Sequence, residues 1–145
     1  MKSKATFRID HHRSLPVPGR AEARLSAVMR THGSAVVLSV RGEADAWTLD
    51  DWRRLVHEGA AVAASRDGPL VVDTGGMDFL GWRALRALAE EAAERRGRGG
   101  AICLVSRSPT IARMAAVDPL TAELAIHATV VAALSSLPAP PAAAN

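Results

Sequence analysis

Val36-Val37-Leu38-Ser39-Val40 is nearly all apolar and rich in β-branched residues, as a strand covered on both faces should be. Two more runs of this kind follow, Pro69-Leu70-Val71-Val72-Asp73 and Ala101-Ile102-Cys103-Leu104-Val105. Helical patterns separate them. Leu49, Trp52, Val56 and Ala60 or Ala63 recur at helical spacing, with Thr48 as the expected N-cap and Asp50 and Asp51 in the first turn. Arg66-Asp67-Gly68 breaks that helix. Residues 74–81 read as a loop into a second helix over 82–96, which turns Leu85, Leu88, Ala89 and Ala92 inward and ends at residues 97–100. Ser108-Pro109 is an N-cap with Pro at the first helical position, opening a third helix with Ile111, Met114 and Ala115. Residues 124–127 suggest a short last strand and residues 129–134 a final helical segment. Upstream, residues 25–31 and 35–41 form a hairpin pattern around His32-Gly33-Ser34. This order predicts an α/β fold: an N-terminal β-hairpin, then alternating α and β. The sheet is expected to be mixed but mostly parallel, with four or five strands and about four helices.

The 145 residues fit one domain with tails. Residues 1–24 are polar, basic and interrupted by Pro16-Val17-Pro18-Gly19, and read as a flexible arm that can lend the first strand a few residues. Residues 25–134 form the domain. Residues 135–145, rich in Pro and Ala, read as a disordered tail. The chain carries 18 Lys+Arg against 15 Asp+Glu, a formal charge of +3. Seven of the cations but only Asp10 and Glu22 lie before Ala35, so the remainder is net acidic. No direct contact with nucleic acid is expected of the domain, and the arm reads as a solvated tail. Both lysines, Lys2 and Lys4, lie in the arm. That removes Schiff-base chemistry and the phosphate-binding lysine of a P-loop from the domain. One cysteine excludes an intramolecular disulfide and a Cys-based zinc site, and a reducing, cytoplasmic setting is the simplest expectation. No apolar run reaches the roughly 20 residues of a membrane helix, and no apolar signal segment stands at residues 1–10.

In open α/β sheets function gathers beyond the carboxyl ends of the strands, here residues 42–48 and 73–83. Gly42-Glu43-Ala44-Asp45 resembles the Gly-Glu-Leu-Asp turn of the STAS domain family, typified by bacterial anti-sigma-factor antagonists. Leu70-Val71-Val72-Asp73-Thr74-Gly75-Gly76-Met77-Asp78-Phe79-Leu80 is similar to that family's third strand and following loop. Residues 98–105, Val117-Asp118-Pro119-Leu120 and residues 126–134 resemble its later elements. The resemblance covers about residues 25–134. It implies a STAS-like fold and a non-enzymatic interaction module that binds an anti-sigma factor, a kinase-like ATPase, and so frees a sigma factor. Neither a cofactor nor a metal is implied, and a homodimer is left open.

The sequence departs from the family at its switch. The pattern there reads Asp-Ser-Ser/Thr-Gly, and the second hydroxyl is phosphorylated by the partner. Here Gly81, Trp82, Arg83 and Ala84 occupy those positions, so Arg83 stands at the phosphoacceptor and the preceding acid is absent. Control by phosphorylation at that position is therefore not expected.

The same stretch is unusual on physical grounds alone. A helix N-terminus prefers an acid or phosphate, yet Arg83 and Arg86 sit in or near the first turn, each adverse by about 0.3–1 kcal/mol. Such broken local rules gather at functional sites. In a chain with three Trp, two Phe and no Tyr, Trp47 and Trp82 fall on the strand-end loops. Trp and Arg are common hot-spot residues. The expected partner surface is residues 42–48 plus 79–86, with Glu43, Asp45, Trp47, Thr48, Trp82, Arg83 and Arg86 as its candidates.

Two other functions compete. One is an accessory subunit of a membrane lipid transporter or signalling complex, a role other STAS domains serve. The other is a small nucleotide-binding domain or enzyme using Glu43, Asp45, Asp73 and Asp78. Asp73 and Glu43 read better as loop-holding acids, and His11, His12, His32, His57 and His127 lack ligand spacing. Cys103, between Ile102 and Leu104, reads as a small buried hydrophobe.

Overall fold

The computed structural model describes residues 6–9 and 24–137. Its elements run β1 (Thr6–Ile9), β2 (Leu25–His32), β3 (Ala35–Ala44), α1 (Leu49–Ser65), β4 (Leu70–Leu80), α2 (Trp82–Gly97), β5 (Ile102–Val105), α3 (Pro109–Val117), α4 (Pro119–Ala122), β6 (Ala125–His127) and α5 (Val130–Ser136). They build one sheet in the order β1-β2-β3-β4-β5-β6. The first two pairings are antiparallel and the last three parallel. The expected mixed, mostly parallel α/β sheet is thus present.

The apolar runs are central strands because both of their faces are covered. Val36, Leu38 and Val40 of β3, Leu70 and Val72 of β4, and Leu104 of β5 face a core filled from α1 and α2 by Trp52, Leu55, Val56, Leu85 and Leu88. The alternate residues Val37, Val71, Cys103 and Val105 face Ala133 of α5. Burial pushes the Cys103 thiol up from 9.0 to about 11. Its folded pKa exceeds its unfolded one, so its stabilising contribution is complete below pH 9 and is lost as pH rises through 11. Native Cys103 is therefore expected to resist thiol reagents near neutral pH and to react fast in denaturant. Rapid labelling of the folded chain would show that the thiol is open to solvent.

Four elements differ from expectation. Thr6–Ile9, inside the presumed arm, pairs with β2 from Thr6↔Arg30 to Ile9↔Ala27 and makes the sixth strand. Apart from Arg24, the rest of the arm, like the last eight residues, lies outside the described residues. The segment 74–80, read as a loop, continues β4 and pairs with β3 through Gly76, Met77, Phe79 and Leu80. Two register shifts, between Ser39 and Arg41 and between Gly42 and Glu43, let the extension follow its partner. Asp118-Pro119 opens an additional single-turn helix, α4, with the Asp118 carboxylate accepting from Leu120 N–H at 2.8 Å. That brings the helices among the described residues to five. The α5 helix also runs through Ser136, into the segment expected to be tail.

Candidate partner-binding site

The extended ends of β3 and β4 carry the site. Gly81 N–H donates to the Ala44 carbonyl at 2.9 Å, joining the start of α2 to the end of β3. The loop between Ala44 and α1 is closed by its own polar groups. Asp45 Oδ1 accepts from the backbone N–H of Trp47 at 2.8 Å and of Thr48 at 3.1 Å. Thr48 Oγ1 donates to the Glu43 carbonyl at 2.8 Å and accepts from Asp45 N–H at 2.9 Å. Thr48 is the residue before α1, as expected of a cap, but its side chain makes no capping bond there. Its hydroxyl is engaged by the preceding loop, and the residue is buried. It positions the loop and offers a partner nothing.

Asp45 has a second bond. Its Oδ2 lies 2.7 Å from Arg24 Nη1, and Glu43 Oε1 lies 3.5 Å from the same nitrogen. Arg24 had been assigned to the arm, so its role here was missed in the sequence. The backbone explains the approach. Gly42 has φ +107, and a Cβ there would stand 1.7 Å from the Arg24 carbonyl oxygen. That oxygen accepts from Glu43 N–H at 2.8 Å. The remaining strand-end acids are ordinary: Asp73 Oδ1 accepts from Gly75 N–H at 2.9 Å, and Asp78 is exposed. Among the described residues no cluster of three His, Cys, Asp or Glu is placed to hold a metal ion.

The loop displays Trp47, 74% exposed, and the β4 extension displays Phe79, 52% exposed. Glu43 is in register with Phe79, which puts the two segments side by side. Trp82 is half-buried, one part packed against the core and the rest at the surface. Trp52, by contrast, is fully buried and donates its indole N–H to the Ala84 carbonyl at 2.8 Å, pinning α1 to the first turn of α2.

The two arginines of that first turn divide. Arg86 Nη1 lies 2.9 Å from Asp118 Oδ2, and Arg86 Nε lies 3.5 Å from Glu90 Oε2. These acids offset its adverse place at the helix start, and Arg86 acts as a strut between α2 and α4. Arg83 is exposed and has no ion-pair partner among the described residues. Gly81, the cap, has no side chain to offer. Trp47, Phe79 and Arg83 are therefore the exposed candidates of these segments, with Trp82 half-buried. Asp45, Glu43, Thr48 and Arg86 support them.

A family model described as the Mlab STAS domain matches residues 27–124. Two Mycobacterium tuberculosis proteins are each 40% identical to the chain. One, provisionally named anti-anti-sigma factor Rv2638, aligns over 124 residues, 86% of this chain and 83% of that protein. The other, the anti-sigma-F factor antagonist RsfA, aligns over 112 residues, 77% and 87% of the respective chains. The crystal structure of an anti-sigma factor antagonist from Mycobacterium paratuberculosis superposes with a TM-score of 0.64 at 25% identity, over 83% of this chain and 97% of the other. With a six-stranded mixed sheet, strand-end loops in the family's order and a family match over two thirds of its length, the chain belongs to the STAS domain family.

Proposed function

We propose that this STAS domain is a non-enzymatic antagonist of an anti-sigma factor, and that it binds through Trp47, Phe79, Trp82 and Arg83. The names of its relatives support the class of partner. One observation carries the surface: two strongly exposed aromatics and an arginine with no ion pair among the described residues share the strand ends of an aromatic-poor chain. The partner is a kinase-like ATPase. The interaction is not switched at the usual hydroxyl, because Arg83 holds that position. The domain is then competent whenever it is present, and its abundance sets the response.

Trp47→Ala is the clean test, because that side chain is mostly in solvent. It is expected to weaken partner binding by about 2 kcal/mol, roughly 30-fold, with a thermal midpoint within a few degrees of the parent. Arg83→Glu removes a cation from a helix start, which favours the helix by about 0.3–1 kcal/mol. The same change should slow association by reversing the surface charge. Unchanged affinity in both variants would place the partner surface elsewhere. Trp82→Ala mixes two effects because the ring also packs, so its binding must be read per folded molecule. A pull-down from host lysate with and without ATP identifies the partner. Recovery of a histidine-kinase-like ATPase supports the antagonist. Recovery of ABC-transporter subunits would replace it with the accessory-subunit reading.

A further inference from the structure

A cleft of about 280 Å³ lies beside this surface, between the end of β4, the start of α2 and the beginning of α3. Its apolar lining includes Met77, Leu80, Trp82, Ile111 and Met114. Its buried or capping hydroxyls are already committed. Thr74 Oγ1 donates to the Val105 carbonyl at 2.7 Å, and Ser108 Oγ accepts from Ile111 N–H at 3.3 Å. The cleft thus offers apolar shape more than polar readout. Val117, three residues after Met114 on the same helix, is 79% exposed and extends the apolar line, while Phe79 stands at the opposite lip.

Three exposed cations neighbour this cleft in the chain. Arg83 follows Trp82, Arg107 lies between the lining residues Ser106 and Ser108, and Arg113 precedes Met114. All three are exposed, and among the described residues none is within ion-pair distance of a carboxylate. Elsewhere on α1 and α2 most arginines are paired: Arg53, Arg54, Arg86 and Arg96 have carboxylate partners, and Arg95 has none among the described residues. One acid, Asp78, lines the cleft. An apolar floor with exposed arginines next to its lining residues in the chain is complementary to apolar side chains flanked by carboxylates.

We infer that the cleft is a docking groove for an acidic amphipathic segment of the protein partner. An apolar side chain of that segment sits against Trp82, Ile111 and Met114, and its flanking carboxylates meet Arg83, Arg107 and Arg113. The inference rests on the antagonist reading for the identity of the partner, but the groove's chemistry stands on its own lining. The apolar floor favours a protein segment over a nucleic acid, whose backbone would gain from the cations alone.

Two measurements separate the groove from the wider reading. In the first, the isotope-labelled full chain is titrated with a synthetic 15-residue amphipathic helix carrying Leu and Phe on one face and Glu on the other. A twin peptide with Lys for Glu serves as the control. The acidic peptide is expected to shift the Trp82 indole and the backbone amides of Thr110, Met114 and Val117 saturably, and the Lys twin is not. Arg107→Glu with Arg113→Glu should weaken the acidic peptide at least 10-fold and flatten its salt dependence. Equal shifts by both peptides, shifts confined to other surfaces, or displacement of the peptide by a 20-nucleotide single strand would overturn the groove. In the second, the anti-sigma-F factor of Mycobacterium tuberculosis is the probe. If it binds the parent and the double variant equally, the groove is wrong and the antagonist stands. If it fails to bind while the acidic peptide still seats in the cleft, the groove stands without that partner.

Discussion

Trp52→Ala is expected to destabilise the domain by roughly 3–5 kcal/mol, the range for emptying a large aromatic site in a packed core. The side chain is fully buried between α1 and the sheet, so its neighbours cannot collapse into the whole volume. Its indole N–H also bonds the Ala84 carbonyl, 32 residues away in sequence. That bond contributes about 1 kcal/mol more and fixes the start of α2. For a chain of this size the midpoint should fall by roughly 10–15 °C. Trp52→Phe keeps most of the volume and loses the bond, and should cost clearly less. Urea unfolding followed by far-UV circular dichroism reads both. A loss below about 1 kcal/mol for the alanine variant would mean that this ring does not anchor the core.

Gly42→Ala should be nearly as severe, for a different reason. The backbone there is at φ +107, where an L side chain is strained by about 1–2 kcal/mol. The new methyl would also overlap the Arg24 carbonyl, 1.7 Å away, which belongs to the backbone and cannot rotate aside. Relief requires β2 to separate from β3 at its first residue. The Glu43–Arg24 backbone bond is then lost, and Arg24 is drawn off Asp45. A total cost of about 3 kcal/mol or more follows from strain and overpacking together. Partner binding should fall as well, since the Trp47 loop is held by that acid. Gly33→Ala is the control: its φ is +64 but the space around it is open, so strain alone applies. Similar losses in the two variants would show that the close approach to Arg24 does not matter.

The parts of the fold legible in the sequence were those where one physical rule dominated. The β-branched run at Val36–Val40 could only be a covered strand, and Ser108-Pro109 could only open a helix; in the structure Ser108 caps α3. The continuation of β4 was hidden because Gly75-Gly76 carries the signature of a turn. Here these glycines lie in a strand, where a Cβ on Gly76 would stand 3.3 Å from the Arg41 side chain. The site was legible in outline, since Trp47, Trp82 and Arg83 break local expectation. Its supports were not. Thr48 looked like a cap because the rule for caps considers only the helix that follows, and here the preceding loop wins the hydroxyl. Arg86 read as a partner contact because its own ion-pair partner, Asp118, is 32 residues distant. The α3 side of the surface had no signal at all, because which arginines lack a nearby carboxylate among the described residues is visible only once the chain is folded.

The order of the strands across the sheet is the order in which they occur in the chain. No strand is inserted between two made earlier, so each new one finds its only required neighbour already in place. The sheet can therefore be laid down as the polypeptide emerges from the ribosome, growing at one open edge from the β2–β3 hairpin onward. A nascent chain stalled after Gly97 would already hold the hairpin, β4 and both large helices. The β5–β6 edge, the short helices α3 and α4, and the α5 cover of the second face would be left to complete.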